Sequence, residues 1–159
     1  MNVSLLFPPT WHPSQPYLSL PSLTGFLHQG GISNVSQRDL GIELLDTILT
    51  RDYAAEVYQQ LTAKQRELER SQTGETGPGS REHYGKVTDS LDRFAYLVDR
   101  IELAKETLRS EGFYDLDAYR ASLFMIDKWL EVVSSVYFPT RLTVVDNQFG
   151  SYSIYSSKD

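Results

Sequence analysis

Asn2-Val3-Ser4-Leu5-Leu6-Phe7-Pro8-Pro9 and Leu20-Pro21-Ser22-Leu23-Thr24-Gly25-Phe26-Leu27-His28-Gln29-Gly30-Gly31 are the two pieces whose reading decides the fold. The first is a short apolar run that ends abruptly at paired prolines. In the second, Pro21 sits where a helix begins, and Leu20, Leu23, Phe26 and Leu27 share one helical face. Gly30-Gly31 stops that helix, and Val35 to Leu40 resumes an extended pattern. Strand, loop, helix, glycine stop and second strand make one βαβ unit. The polar, aromatic loop between the first strand and the helix, Thr10-Trp11-His12-Pro13-Ser14-Gln15-Pro16-Tyr17, then crowns the carboxyl edge of the sheet. Ligands bind at that edge in open α/β folds.

Outward from this unit the pattern turns helical. Leu40 to Leu49 reads as a short helix, with Asp52 as N-cap or first-turn acid of the next. Tyr53, Val57, Leu61 and Leu68 line one face of that helix, which runs to about Arg70. Ser71 to Ser80 holds three glycines, a proline and no apolar side chain, the composition of a mobile surface loop. Val87, Leu91, Phe94, Val98, Ile101 and Leu108 form the stripe of a long amphipathic helix. Gly112 stops it, and Asp115 or Asp117 opens another, with Tyr119, Leu123, Ile126, Leu130 and Val133 as its stripe and Phe124 and Trp129 broadening it. Phe138-Pro139 ends that helix. Arg141 to Val145 and Ser151 to Tyr155 flank turn residues and read as a C-terminal β-hairpin.

The expected fold class is therefore α/β: an incomplete Rossmann-like βαβ unit (1–50), a large helical insertion (51–138) and a C-terminal extended segment (139–159). Two parallel strands make a poor sheet, since three or more are usually needed. Either the chain is the front of a larger protein, or the C-terminal hairpin joins the first two strands in a small mixed sheet.

Composition narrows the function. A chain of 159 residues is long enough for a real core, and 40% hydrophobic with 23% charged residues is ordinary for a globular protein. A net charge of -6 argues against a generic nucleic-acid surface and against anionic membrane. The absence of cysteine removes disulfides, thiolate zinc sites, a cysteine nucleophile and a thiolate-ligated iron–sulfur cluster from this chain. No apolar run approaches the roughly 20 residues needed to span a bilayer, and no signal-peptide pattern opens the chain. A cytoplasmic location is expected. His28 and His83 read as solvated, Asp89, Asp92, Asp99 and Glu102 as the water-facing side of their helix. No Gly-x-Ser-x-Gly, Walker loop or His-Glu-x-x-His is present.

The segments Val3-Ser4-Leu5-Leu6-Phe7-Pro8-Pro9, Tyr17-Leu18-Ser19-Leu20-Pro21-Ser22-Leu23 with Phe26-Leu27, and Arg38-Asp39-Leu40-Gly41-Ile42-Glu43 together resemble the start of cobalamin-dependent radical S-adenosylmethionine enzymes. Those proteins open with a Rossmann-type cobalamin-binding domain whose first strand ends in paired prolines and whose second ends near an Asp. The resemblance implies cobalamin as cofactor, contacted by Pro9, Thr10, Trp11, His12, Gln15, Tyr17 and Asp39. It implies S-adenosylmethionine and an iron–sulfur cluster in a downstream radical domain or split subunit, the partner of this chain. The parent reaction would be methyl transfer or carbon-skeleton chemistry, with no catalytic residue here.

The chain also departs from that pattern. The Asp-x-His-x-x-Gly motif of methylcobalamin modules and the Cys-x-x-x-Cys-x-x-Cys cluster motif are absent. Pro8-Pro9 stands where a dinucleotide site would place glycines, which disfavours nicotinamide or flavin dinucleotides. Each site residue has a plainer reading as well: Trp11 and Tyr17 packed on the helix, His12 in a proline-held loop, Asp39 as a helix cap. The alternative function is a non-catalytic helical interaction module, motivated by the Val87–Leu108 stripe and by Tyr114, Tyr119, Tyr137, Tyr152 and Tyr155 among ten tyrosines.

Overall fold

Alternation of side chains sets the first element. Val3–Phe7 forms strand β1, with Val3, Leu5 and Phe7 half-buried on one face and Ser4 and Leu6 exposed on the other. The computed structural model describes residues 1–8, 18–71 and 78–144. It divides into two compact units, Met1–Ile48 and Leu49–Asp159. The chain is broadly α/β, mostly helical, with one two-stranded parallel sheet among the described residues.

In the first unit, helix α1 spans Ser19–Gln29 and strand β2 spans Val35–Asp39. The strands pair in parallel from Val3 with Val35 to Phe7 with Asp39. Two side-chain pairs flank this ladder: Ser4 Oγ and Ser36 Oγ lie 2.9 Å apart, and Asn34 Nδ2 donates to Asn2 Oδ1 at 2.7 Å. Gly30-Gly31 ends α1 as expected. The Gly30 amide donates to the Phe26 carbonyl, Ile32 N donates to Leu27 O, and Gly31 has φ +80°, a conformation that favours glycine.

The stripe of α1 is turned from the expected one. Leu20, Thr24 and Leu27, at i, i+4 and i+7, are half-buried together with Ser19 at the helix start, whereas Leu23 and Phe26 are exposed, Phe26 at 72%. A two-stranded sheet is too narrow to cover an apolar face four residues wide. Helix α2, Leu40–Ile48, follows β2 directly.

The second unit is three long helices: α3, Arg51–Ser71; α4, Pro78–Thr107; and α5, Leu116–Val136. A short 3-10 turn, Glu111–Tyr114, joins the last two. Helix α4 packs on both α3 and α5. His83 near the start of α4 meets Ser135 near the end of α5, so this pair runs antiparallel. The largest fully buried side chains are Val57 and Leu61 from α3, Val87 and Ile101 from α4, and Trp129, Val132 and Val133 from α5. Trp129 is the pivot: its ring meets Phe94 edge-on at 5.7 Å, and Phe94 meets Tyr58 at 5.1 Å. These rings add to the aliphatic side chains buried in the seam.

Several local expectations are corrected. Helix α4 begins at Pro78, so Gly79 and Ser80 are helical, not loop; Pro at N1 suits a helix start because its missing N–H has no intrahelical partner there. Gly112 does not stop α4, which ends at Thr107. It lies in the 3-10 turn, where a Cβ would stand 3.0 Å from Thr107 Cγ2. Phe124 does not broaden the α5 stripe: it is 56% exposed, with the Lys128 ammonium 5.6 Å above its ring. His83 is buried rather than solvated. Of the expected strand Arg141 to Val145, Arg141 makes an isolated β-bridge and Leu142 to Val144 form no strand. The Ser71–Ser80 loop between 72 and 77, and the hairpin beyond 144, lie outside the described residues.

Helix starts follow local chemistry. Asp115 Oδ1 accepts from Asp117 N at 2.9 Å and Ala118 N at 3.0 Å, capping α5. Thr50 Oγ1 accepts from Tyr53 N, so Thr50 plays this part for α3 and Asp52 is its first-turn acid.

Candidate functional site

Register positions the first candidate. Because Phe7 pairs with Asp39, Pro8 and Leu40 leave the sheet at the same carboxyl edge. Asp39 is half-buried there, and its Oδ1 accepts from Gly41 N at 2.9 Å and Ile42 N at 3.2 Å. The carboxylate therefore caps α2, satisfying two amide donors that the helix cannot satisfy itself. These two bonds use Oδ1 alone. Beside it, Arg38 Nε donates to Glu43 Oε1 at 2.9 Å, with a second contact between Nη2 and Oε2. That hydrogen-bonded pairing holds the Glu43 carboxyl below its ordinary value and the Arg38 guanidinium above its own. Pro9, Thr10, Trp11, His12, Gln15 and Tyr17 lie outside the described residues. Of the expected site, Asp39 alone is therefore placed, at the edge where the loop departs.

The second unit holds a site that sequence reading missed. Helix α5 stops at Val136, short of the cis peptide Phe138-Pro139, so the Ser135 carbonyl lies in its last turn, where helix carbonyls lack an intrahelical donor. His83 supplies the donor instead: its Nε2–H donates to Ser135 O at 2.8 Å. This bond explains the burial of an imidazole and sets its tautomer. The His83 ring stacks on Phe138 at 4.6 Å, and the Lys86 ammonium sits 4.8 Å from the same ring. The chain then folds back along α5, and Leu142 N donates to Ser134 Oγ at 2.8 Å.

Ser90 and Ser135 face each other at the seam, their hydroxyls 2.7 Å apart. Ser90 Oγ also reaches Lys86 O at 2.7 Å and Ser135 Oγ reaches Glu131 O at 3.0 Å. Two hydroxyl protons thus serve three contacts, so the pair offers oxygen lone pairs and no spare donor. Serine here is smaller than the leucine or phenylalanine found elsewhere along the seam. A cavity of about 300 Å³ opens between α4, α5 and the Phe138–Arg141 turn, lined also by Lys86, Asp89, Arg93, Glu131 and Arg141. The available signal was spacing: His83, Val87, Ser90, Phe94, Leu97 and Ile101 keep one continuous four–three rhythm, two of its positions polar.

Tyr53 and Tyr137 mark another polar contact, their hydroxyl oxygens 3.5 Å apart. Partial burial first, and the hydrogen bond with Tyr137 second, push the Tyr53 phenol above its ordinary value. Among the described residues, no group of three or more His, Asp or Glu is placed to hold a metal ion, and no helix is long and apolar enough to cross a membrane. No protein-family model, curated protein or solved structure matches this chain.

Proposed function

We propose that this chain is the N-terminal, cobalamin-binding-like portion of a cobalamin-dependent radical S-adenosylmethionine enzyme, with a Rossmann-like first unit and no catalytic residue of its own. One observation carries the reading. β1 and β2 run parallel with Phe7 opposite Asp39, so Pro8, the first of the paired prolines, follows β1 at the sheet edge where the acid ends β2. Parallel strands joined through a helix put ligands at that edge. The Asp39 carboxylate suits a group rich in donors, and the rim of a corrin carries carboxamide N–H groups that an acid accepts. Thr10, Trp11, His12, Gln15 and Tyr17 would supply the remaining contacts from the loop, Trp11 and His12 through flat rings and Gln15 and Tyr17 through hydrogen bonds.

An iron–sulfur cluster does not fit this chain, because its irons need thiolates and the sequence has no cysteine. The cluster and S-adenosylmethionine belong to a downstream radical domain or split subunit, which is the partner this reading implies. The test is the coding DNA beyond codon 159. An open frame, or an adjacent gene, encoding Cys-x-x-x-Cys-x-x-Cys supports the proposal. A stop codon with no such neighbour overturns it.

A second reading is a non-catalytic interaction module, favoured by the exposed Phe113 and Tyr114 of the 3-10 turn and Leu116 at the start of α5, with Tyr114 at 87%. Replacing Tyr114 and Leu116 by Ser would then abolish the complex that the protein forms with its binding partner without altering the fold. An unchanged complex would exclude this face.

A further inference from the structure

The cavity at the end of the α4–α5 seam has a serine floor within a largely apolar lining and is flanked by charges of both signs. Along α4, Lys86, Asp89, Ser90 and Arg93 fall at i, i+3, i+4 and i+7, one face of the helix. Most of the charges there are already matched. The Lys86 ammonium lies 2.6 Å from Glu82, and the Lys128 ammonium lies 2.6 Å from Glu131. Arg93 reaches Glu131 at 3.7 Å and donates from Nε to the Asp89 carbonyl at 3.1 Å. Asp89 and Arg93, one turn apart, are placed to pair with each other, yet the Asp89 carboxylate makes no ion pair among the described residues. Neither does Arg141 on the opposite, turn-side wall. One acid and one base, both exposed, thus flank an opening whose floor, Ser90 and Ser135, presents hydrogen-bond acceptors.

From this arrangement we infer that the cavity is a binding site for a small zwitterion of the α-amino-acid or short-peptide class. Its carboxylate meets the guanidinium of Arg141, with Arg93 beside it, and its ammonium meets Asp89 and the serine oxygens. A guanidinium is the side chain best shaped to hold a carboxylate through two parallel hydrogen bonds. An ammonium has three donors and no acceptor, matching a floor that has acceptors and no spare donor. A singly charged ligand would leave one of the two flanking charges without a counterpart. The volume, about 300 Å³, is at the lower end for small-molecule sites and suits a ligand of this size. Phe138, held between His83 and Lys86, and Pro139 close the apolar side. This site is independent of the proposed cobalamin edge.

The test is a titration of the 15N-labelled protein at constant ionic strength, following the amide signals of Ser135, Thr140, Arg141 and Leu142. Glycine and glycylglycine are the probes; acetate and methylammonium are singly charged controls. Glycine or glycylglycine should shift these signals saturably with a Kd of about 1 mM, and each control should bind at least about tenfold more weakly. Arg141→Gln and Asp89→Asn should each weaken the zwitterion about tenfold, since each removes one charge-assisted contact. Both side chains are exposed, so unchanged spectra elsewhere report an intact fold. Arg120→Gln, roughly 20 Å away along α5, should bind as the parent does. Absence of saturation by both zwitterions, acetate binding as tightly as glycine, or variants that bind as well as the parent would each overturn the inference.

Discussion

Replacing Asp39 separates the two parts its carboxylate is given. In Asp39→Ala, the amides of Gly41 and Ile42 lose the Oδ1 acceptor at 2.9 and 3.2 Å, and nothing else in the first turn of α2 replaces it. Loss of an N-cap of this kind costs about 1 kcal/mol, within a range of about 0.5–2 kcal/mol. Asp39→Asn keeps an oxygen at the same place and caps nearly as well, while removing the charge that the helix N-terminus and a donor-rich ligand would both feel. Native-state hydrogen exchange is the assay, because it reports α2 locally and does not require the two units to unfold together. The Gly41 and Ile42 amides should exchange about fivefold faster in Asp39→Ala, the factor that 1 kcal/mol corresponds to. In Asp39→Asn they should stay close to the parent. Unchanged exchange in the Ala variant would refute the cap. An Asn variant as labile as the Ala variant would show that charge, not geometry, holds the turn.

Other outcomes follow from the second unit. Trp129→Ala should lower its unfolding free energy in urea by about 3–5 kcal/mol, since a fully buried ring leaves a cavity, whereas Phe124→Ala should change it by less than about 0.5 kcal/mol. His83→Ala strips the Ser135 carbonyl of its donor and should cost about 1–3 kcal/mol by the same measurement. Folding raises the Tyr53 phenol, so the folded state holds its proton more tightly than the unfolded chain. That stability is fully present below the ordinary phenol range near pH 10 and is lost as pH rises through the higher folded value. Urea midpoints should therefore fall above about pH 10 in the parent and fall less in Tyr53→Phe.

Legibility differed between the two units for physical reasons. The βαβ order was readable because its signals are local: a five-residue alternation at Val3–Phe7, a glycine pair whose second member needs positive φ, and a second extended run. Helix ends carrying their own caps, such as Asp115 before α5, were readable for the same reason. What stayed hidden depends on partners distant in the chain. His83 looks solvated until Ser135, 52 positions later in the sequence, brings it a carbonyl from the last turn of α5. Ser90 and Ser135 disappear from a search for apolar stripes although they occupy seam positions. Phe124 counts as core by hydrophobicity, yet its ring is exposed on α5 with the Lys128 ammonium over it. At the candidate edge, sequence gave both readings of Asp39, and the described hydrogen bonds realise the cap.

The most direct test of the cobalamin reading is hydrogen exchange of the protein with and without about 100 µM hydroxocobalamin, a concentration that saturates any site of micromolar affinity. The account predicts slowed exchange at the amides between Pro8 and Leu18 and from Asp39 to Ile42, and loss of that protection when Trp11 and His12 are both replaced by Ala. Protection confined to the helical unit, protection that survives the double replacement, or no protection anywhere would contradict it.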